Sequence, residues 1–337
     1  MERLVSVASA QNMVRGFASG AGLWFIDPSG AVRESTVEEL SRHQKPFQVA
    51  FPCREKPFAR SIEEALATLS GRAVFIALHG TEGEDGSMQE LFESQRVAFT
   101  GSGARSSRLC FDKLAAKDTA ERAGLFVCEQ ISFATRSAPE ARAALADLFA
   151  KHGRLVMKPV ANGSSVGLRI VASPADLELA AEEAAASEDP RFMAEPFVAG
   201  REVTVGVVDW SGAPEALPPS EVILEKGRSF DYEGKYLGLG SREVTPADLS
   251  PEETRACQEA ALTAHRALGC EGYTRSDFIL SEGRCVFLET NTLPGLSSAS
   301  FLPQQLRSAG ISLETFVERQ MELARSRVRG RSARETD

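Results

Sequence analysis

Short apolar runs recur along this chain between helix-patterned stretches: GLWFI at 22–26, AVFIAL at 73–78, VAFT at 97–100 and RLVMKP at 154–159. Each has the length of one buried strand. None approaches the run of about eighteen apolar residues that a membrane helix needs. Helical patterning occupies 5–17, 61–69, 88–95, 112–123, 174–187, 250–268 and 313–327. The second of these opens on SIEE, which resembles a capping box. Continuous apolar strands separated by helices predict an α/β fold whose N-terminal part holds a parallel sheet covered on both faces. Further strands are expected at 168–171, 191–197 and 202–209, and a hairpin at 277–280 and 285–289 turning at SEGR. Residues 225–246 are polar, glycine-rich and aperiodic, which is long for a connector and predicts a lid or Ω-loop. The tail VRGRSARETD is charged and predicted to be disordered.

A length of 337 residues suits two or three packed lobes. The formal net charge of -9 argues against nucleic acid as a main partner, because phosphate backbones demand a basic face. Cys53, Cys110, Cys128, Cys257, Cys270 and Cys285 form no CxxC pair, so a structural zinc site is not indicated. They read as reduced, intracellular thiols, and MERLVSVASAQ is not a signal peptide. The expected compartment is the cytoplasm, with no membrane association.

Several segments carry chemistry. In KPVANGSSVG, Lys158 leaves a strand beside a flexible loop whose N–H groups can converge on a triphosphate. The GxxxxGK[ST] spacing of a P-loop is absent, and an ordinary hairpin turn remains an equal alternative. Asp277 and Glu289 sit in apolar strands expected to pair, and Asn291 lies two residues beyond Glu289 on the same face. Two carboxylates and an amide oxygen form a hard-oxygen set suited to Mg²⁺ on ATP phosphates. HGTEGEDGSMQ follows a strand, where open α/β sheets bind ligands, and His79 is either a carboxylate ligand or a satisfied polar group. SFDYEGKYLG supplies tyrosines and a lysine to the expected lid. In TNTLPGLSSAS, the Gly295 N–H can donate to an oxyanion and the serines can cap a helix or bind a carboxylate.

ALHGTEGEDGSMQ, TGSG, DKLAAK, MKPVANGSSVG, AEPFVAGREVTV, FDYEGKY, GCEGYTRSDFIL and LETNTLPGLSSAS occur in the order and spacing of D-alanine–D-alanine ligases, members of the ATP-grasp superfamily. The chain resembles that family from about residue 2 to about residue 325. The resemblance implies a Rossmann-like, pre-ATP-grasp domain over 1–104. A two-lobed α+β ATP-grasp domain follows, with a central lobe at 105–197 and a C-terminal lobe at 198–325. The lid is 225–246 and the disordered tail 326–337. It implies ATP contacts from Lys113, Lys158, Ser165, Glu195 (adenine), Glu202 (ribose) and Lys235, and Mg²⁺ or Mn²⁺ on Asp277, Glu289 and Asn291. Arg275 and the Gly295 backbone match oxyanion stabilisers. Glu2, Ser164 and Tyr236 match a hydrogen-bonded set around the first substrate and the lid. His79 matches a residue near the first substrate, and Ser300 one holding the second substrate's carboxylate.

The activity so implied is ATP-dependent ligation of two D-alanines for peptidoglycan precursors, with a homodimer as the open option for assembly. Tyr236 implies a peptide rather than an ester product. Two departures keep other readings open. Phe301 stands where the family usually has leucine, which allows a related ligase with a different second substrate. The strand and Gly-Gly turn expected ahead of Glu2 do not precede it. That predicts a natural start further upstream or, failing that, a nucleotide-binding homologue that no longer ligates.

Overall fold

The computed structural model describes residues 2–17, 21–69, 71–134, 137–163, 166–210, 213–224 and 241–334. The first lobe contains α1 (Glu2–Met13), β1 (Leu23–Ile26), β2 (Val32–Ser35), α2 (Val37–Arg42), β3 (Pro57–Ala59), α3 (Ile62–Leu66), β4 (Ala73–Val74), α4 (Thr81–Glu84), α5 (Ser87–Ser94) and β5 (Ala98–Phe99). The parallel arrangement expected here is confined to β4 and β5, with Ala73 facing Ala98 and Val74 facing Phe99. GLWFI does not join them. Its strand β1 pairs antiparallel with β2, which pairs with β3. The turn explains the difference: Asp27 Oδ1 accepts from Ser29 N at 2.8 Å and Ala31 N at 3.2 Å, an Asx turn that sends the chain back as a hairpin.

The central lobe begins with α6 (Ala104–Phe111) and α7 (Lys113–Arg122) and continues through β6 (Ile131–Ala134), α8 (Ala138–His152), β7 (Leu155–Pro159), β8 (Arg169–Val171), α9 (Pro174–Ala186) and β9 (Arg191–Pro196). Its sheet runs β6-β9-β7-β8, wholly antiparallel. Leu145, Leu148, Leu177 and Ala181, on α8 and α9, pack on Leu155, Met157 and Phe192 of that sheet.

The C-terminal lobe holds β10 (Arg201–Asp209), β11 (Pro214–Ala216), β12 (Ser220–Leu224), β13 (Ser241–Val244), α10 (Pro251–Ala267), β14 (Tyr273–Ser281), β15 (Arg284–Asn291), α11 (Phe301–Ser308) and α12 (Leu313–Arg334). Its sheet is ordered β13-β12-β10-β14-β15, with β11 beside β10. Two expectations change. The segment predicted as an aperiodic lid ends in a strand, β13, and α12 continues to Arg334 through most of the tail predicted to be disordered.

The first and last lobes share one core. Phe75 stacks on Tyr273 at 6.3 Å between ring centroids, and Phe316 of α12 meets both edge-on. All six cysteines are free. Spacing did not reveal that Cys110 lies 3.6 Å from Cys270 and Cys257 3.3 Å from Cys285. Among the described residues, no helix is long and apolar enough to cross a membrane.

Candidate active site

The acids of the C-terminal lobe are placed by strand register. Thr204 of β10 faces Asp277 of β14, which faces Glu289 of β15, and Arg275 faces Asn291. Directly opposed residues share a sheet face, so Glu202, Thr204, Arg275, Asp277, Glu289 and Asn291 line one side. The other side carries Val203, Val205, Phe278 and Phe287 against Cys257, Ala261 and Ala264 of α10. A bulge makes this possible. Asp277 faces Glu289 while Phe278 faces Phe287, so Leu288 is the extra residue. In a regular strand running through Leu288, Phe287 and Glu289 would fall on the same face.

Asp277 is held tightly. Arg275 Nε donates to its Oδ1 and Arg275 Nη2 to its Oδ2, both at 2.8 Å, and Thr204 Oγ1 donates to Oδ1 at 2.5 Å. Asn291 Nδ2 lies 3.5 Å from Oδ2. Asp277 and Glu289 are each only partly exposed, at 16% and 28% of their side chains. The residues expected to bind magnesium lie close together, but both Asp277 oxygens already accept hydrogen bonds, Oδ1 from two donors, so a cation on Asp277 would displace one of them. Among the described residues no three His, Cys, Asp or Glu side chains cluster tightly enough to hold a metal, so the two carboxylates alone do not make a closed metal site. These oxygens fit a hard divalent cation.

Across the cleft, lysines of the central lobe converge. Lys113 Nζ donates to Asn162 O at 2.5 Å and lies 3.6 Å from Glu289 Oε2. Glu195 accepts from Lys158 at 2.6 Å and from Lys117 at 2.5 Å. Lys117 also reaches Phe287 O at 3.0 Å, tying the central lobe to the C-terminal sheet. Burial pushes the Glu195 carboxyl up, but Lys158 and Lys117 outweigh it and hold the group at about 2. Burial likewise pulls Lys158 down, yet Glu195 and Glu289 together keep it above the usual lysine range. For the fully buried Lys117, desolvation together with repulsion from Lys158 outweighs Glu195 and holds it below that range. One carboxylate shared by two ammonium groups cannot compensate both equally. The cleft itself is lined by Lys113, Asn162, Glu289 and Asn291, with Glu84 from the first lobe.

His79 is a buried junction. Its Nε2 lies 2.7 Å from Ser9 Oγ, its Nδ1 3.1 Å from Leu293 O, and its backbone N donates to Ser6 Oγ at 2.9 Å. Both ring nitrogens meet protein groups, so the satisfied-polar alternative describes it in this structure. The same junction reaches the 293–300 turn, because Leu296 N donates to Ser9 Oγ at 3.1 Å and Asn12 Nδ2 to Leu296 O at 2.8 Å. A Cβ on Gly295 would lie 2.7 Å from Ser300 Oγ, so glycine lets this backbone approach the serines. Ser300 begins α11 without capping it by its side chain, and its Oγ meets Ser297 Oγ at 2.8 Å. Phe301 is buried, with the Arg275 guanidinium 5.9 Å from its ring centroid.

The sequence profile described as D-ala D-ala ligase N-terminus matches residues 1–102, and that described as D-ala D-ala ligase C-terminus matches 120–322. The chain belongs to the D-alanine–D-alanine ligase family. A D-alanine–D-alanine ligase of Desulforudis audaxviator is 38% identical over 269 residues, 80% of this chain and 85% of the relative. One from Leptospira interrogans is 35% identical over 304 residues, 87% of this chain and 83% of the relative. The D-alanine–D-alanine ligase structure from Coxiella burnetii superposes with a TM-score of 0.81 at 26% identity, covering 99% of this chain and 93% of that one. The VanG D-Ala:D-Ser ligase from Enterococcus faecalis gives 0.82 at 28% identity, covering 96% of each chain. The ATP-grasp fold and an enzyme of the ATP-dependent ligase class follow from this membership.

Arg275, Asp277, Glu289 and Asn291 are thus brought together in this member of the family, with Glu202 on the same face and Lys113, Lys158 and Glu195 opposite. Gly295, Ser300 and Phe301 form one end of the site. Glu2 begins α1, but its side chain, and Ser164, Ser165, Lys235 and Tyr236 entirely, lie outside the described residues. Sequence reasoning missed Lys117, although it sits four residues after Lys113 on one helix face and could have been flagged by that spacing. It also missed Glu243 of β13, which lies in a segment without usable periodicity.

Proposed function

We propose that this chain joins two D-alanines into D-alanyl-D-alanine through an acyl-phosphate, supplying a peptidoglycan precursor in the cytoplasm. The observation that carries this reading is the register-matched Asp277–Glu289 pair, faced across the cleft by Lys113 and Lys158. Lys113 and Lys158 hold the ATP phosphates and offset their charge. Asp277, Glu289 and Asn291 would hold Mg²⁺ or Mn²⁺, which when bound neutralises charge on the phosphates. Glu195 and Glu202 face the nucleoside. Arg275 and the Gly295 N–H stabilise the oxyanion that forms when the second amino acid's amine attacks. His79, with its ring engaged by Ser9 and Leu293, acts by fixing the wall of the first-substrate site. Ser300 holds the second carboxylate.

The Phe301 ring against Arg275 favours a second reading, in which the acceptor is another D-amino acid. The structural neighbour VanG is described as a D-Ala:D-Ser ligase. One assay separates the readings: phosphate release with ATP and Mg²⁺ across a panel of D-amino acids, with dipeptides identified by mass spectrometry. Release that requires D-alanine and yields D-alanyl-D-alanine is expected. ATP hydrolysis independent of D-alanine, without dipeptide, would refute ligation. Glu289→Ala should abolish turnover while leaving the circular dichroism spectrum unchanged, because the side chain is partly exposed and outside the core.

A further inference from the structure

Glu243 is a carboxylate that nothing above assigns. It lies on β13, opposite Val222 of β12, which is in turn opposite Glu202 of β10. Opposed residues share a face, so Glu243 stands on the side of the sheet that carries Arg275 and Asp277. It is half-buried, and its Oε2 accepts from Gln304 Nε2 at 2.7 Å. Gln304 Nε2 also donates to Ala299 O at 2.6 Å, next to Ser300. Phe301 and Gln304 are three residues apart on α11 and share a helix face. That face therefore presents one side chain to Arg275 and the other to Glu243. Arg275 is the charged group that acts on Glu243 among the described residues. Arg242, its strand neighbour, points to the opposite face.

We propose that Glu243 receives the ammonium group of the second amino acid and takes its proton, freeing the amine to attack the acyl-phosphate. This rests on the ligase reading. The amine lone pair forms the C–N bond, the acyl C–O bond to phosphate breaks, and phosphate leaves with that electron pair. One ammonium proton passes to the Glu243 carboxylate, and the second proton that amide formation releases departs with phosphate. Glu243 is linked through the Gln304 amide to Ala299 O, next to Ser300, which suits the task, because a substrate anchored by its carboxylate at one point must present its nitrogen nearby. Burial also pushes the Glu243 carboxyl up, against the pull of Gln304 and Arg275, which makes it a better proton acceptor than a solvated glutamate.

The test compares two acceptors in the full-length enzyme with ATP, Mg²⁺ and D-alanine. Hydroxylamine is largely uncharged at neutral pH and traps the acyl-phosphate as a hydroxamate without needing a base. Glu243→Gln should reduce dipeptide formation at pH 7 by about a hundredfold while hydroxamate formation stays within about twofold of wild type. Raising the pH to about 9.5 should restore most of the dipeptide rate, because the acceptor then loses its proton unaided. Glu243→Asp should retain more dipeptide activity than Glu243→Gln. Equal loss of hydroxamate and dipeptide, or a dipeptide deficit unchanged by pH, would overturn the assignment. A wild-type enzyme that forms neither product would instead sink the ligase reading, and this proposal with it.

Discussion

At the residue scale, Glu195 shows how opposing terms settle in one side chain. Desolvation alone would favour the neutral acid, yet two lysines within 2.6 Å reverse it and the group ionises at about 2 rather than its usual 4.5. The folded-state value is depressed, so its stabilisation is fully present above about pH 4.5 and is lost as the pH falls towards 2. Lys117→Met removes one of the two cations and leaves Phe287 O without its donor. The expected cost is about 2 kcal/mol in denaturant melts, the range for buried bonds to charged groups. The same variant should unfold at a higher pH on acid titration followed by circular dichroism, because Glu195 is less depressed beside a single lysine. An acid midpoint that does not move would show that Lys117 contributes nothing to the charged form.

At the scale of elements, the junction of β10 with α11 is the tightest in the site. A Cβ on Gly206 would sit 2.6 Å from both Gln305 Oε1 and Leu302 Cδ1, so only glycine lets helix and strand approach this closely. Gln305 fills the gap between β10 and β12. It accepts from Gly206 N at 2.9 Å and donates to Thr204 O at 2.9 Å and Ser220 Oγ at 3.0 Å. Gln305→Leu should cost roughly 3 kcal/mol, since it strands buried backbone polar groups rather than merely deleting a bond. Thermal melts check this, and a loss under about 1 kcal/mol would mean that water replaces the amide. Caps behave less uniformly than their patterns suggest. Ser61 accepts from Glu64 N as SIEE implied, but Glu64 turns back to Arg60 N instead of Ser61. The complete reciprocal box belongs to Ser250 and Glu253 at the start of α10.

At the scale of the whole molecule, α1 is clasped to a turn nearly the full chain length away. Asn12 and Ser9 hold Leu296 by its carbonyl and its N–H, and His79 joins Ser9 to Leu293. The Gly295 N–H proposed to face the oxyanion sits inside this clasp. Asn12→Leu should therefore raise the KM for D-alanine about fivefold, the effect of one net hydrogen bond, with the KM for ATP unchanged. Steady-state kinetics with each substrate varied would show it. An equal rise in both constants would point to general loosening rather than a displaced turn.

What the chain's sequence determined by itself was local or periodic. The hairpin that pairs Asp277 with Glu289 was legible because its strands are close in sequence, apolar on one face and broken by a polar turn. Lys158 was legible as a phosphate candidate beside its Gly-Ser loop, with an ordinary turn as an equal alternative, whereas Lys113 was legible only once ordered motifs matched a family. The partners of β1, the bulge at Leu288, the capture of Glu195 by Lys117 and the approach of Glu243 to Gln304 were decided by the tertiary structure. Strand propensity does not name its neighbour, and one inserted residue reverses which side chains face the site. A buried charge must find its partner wherever the fold brings one, and Lys117 and Glu195 are 78 residues apart in sequence.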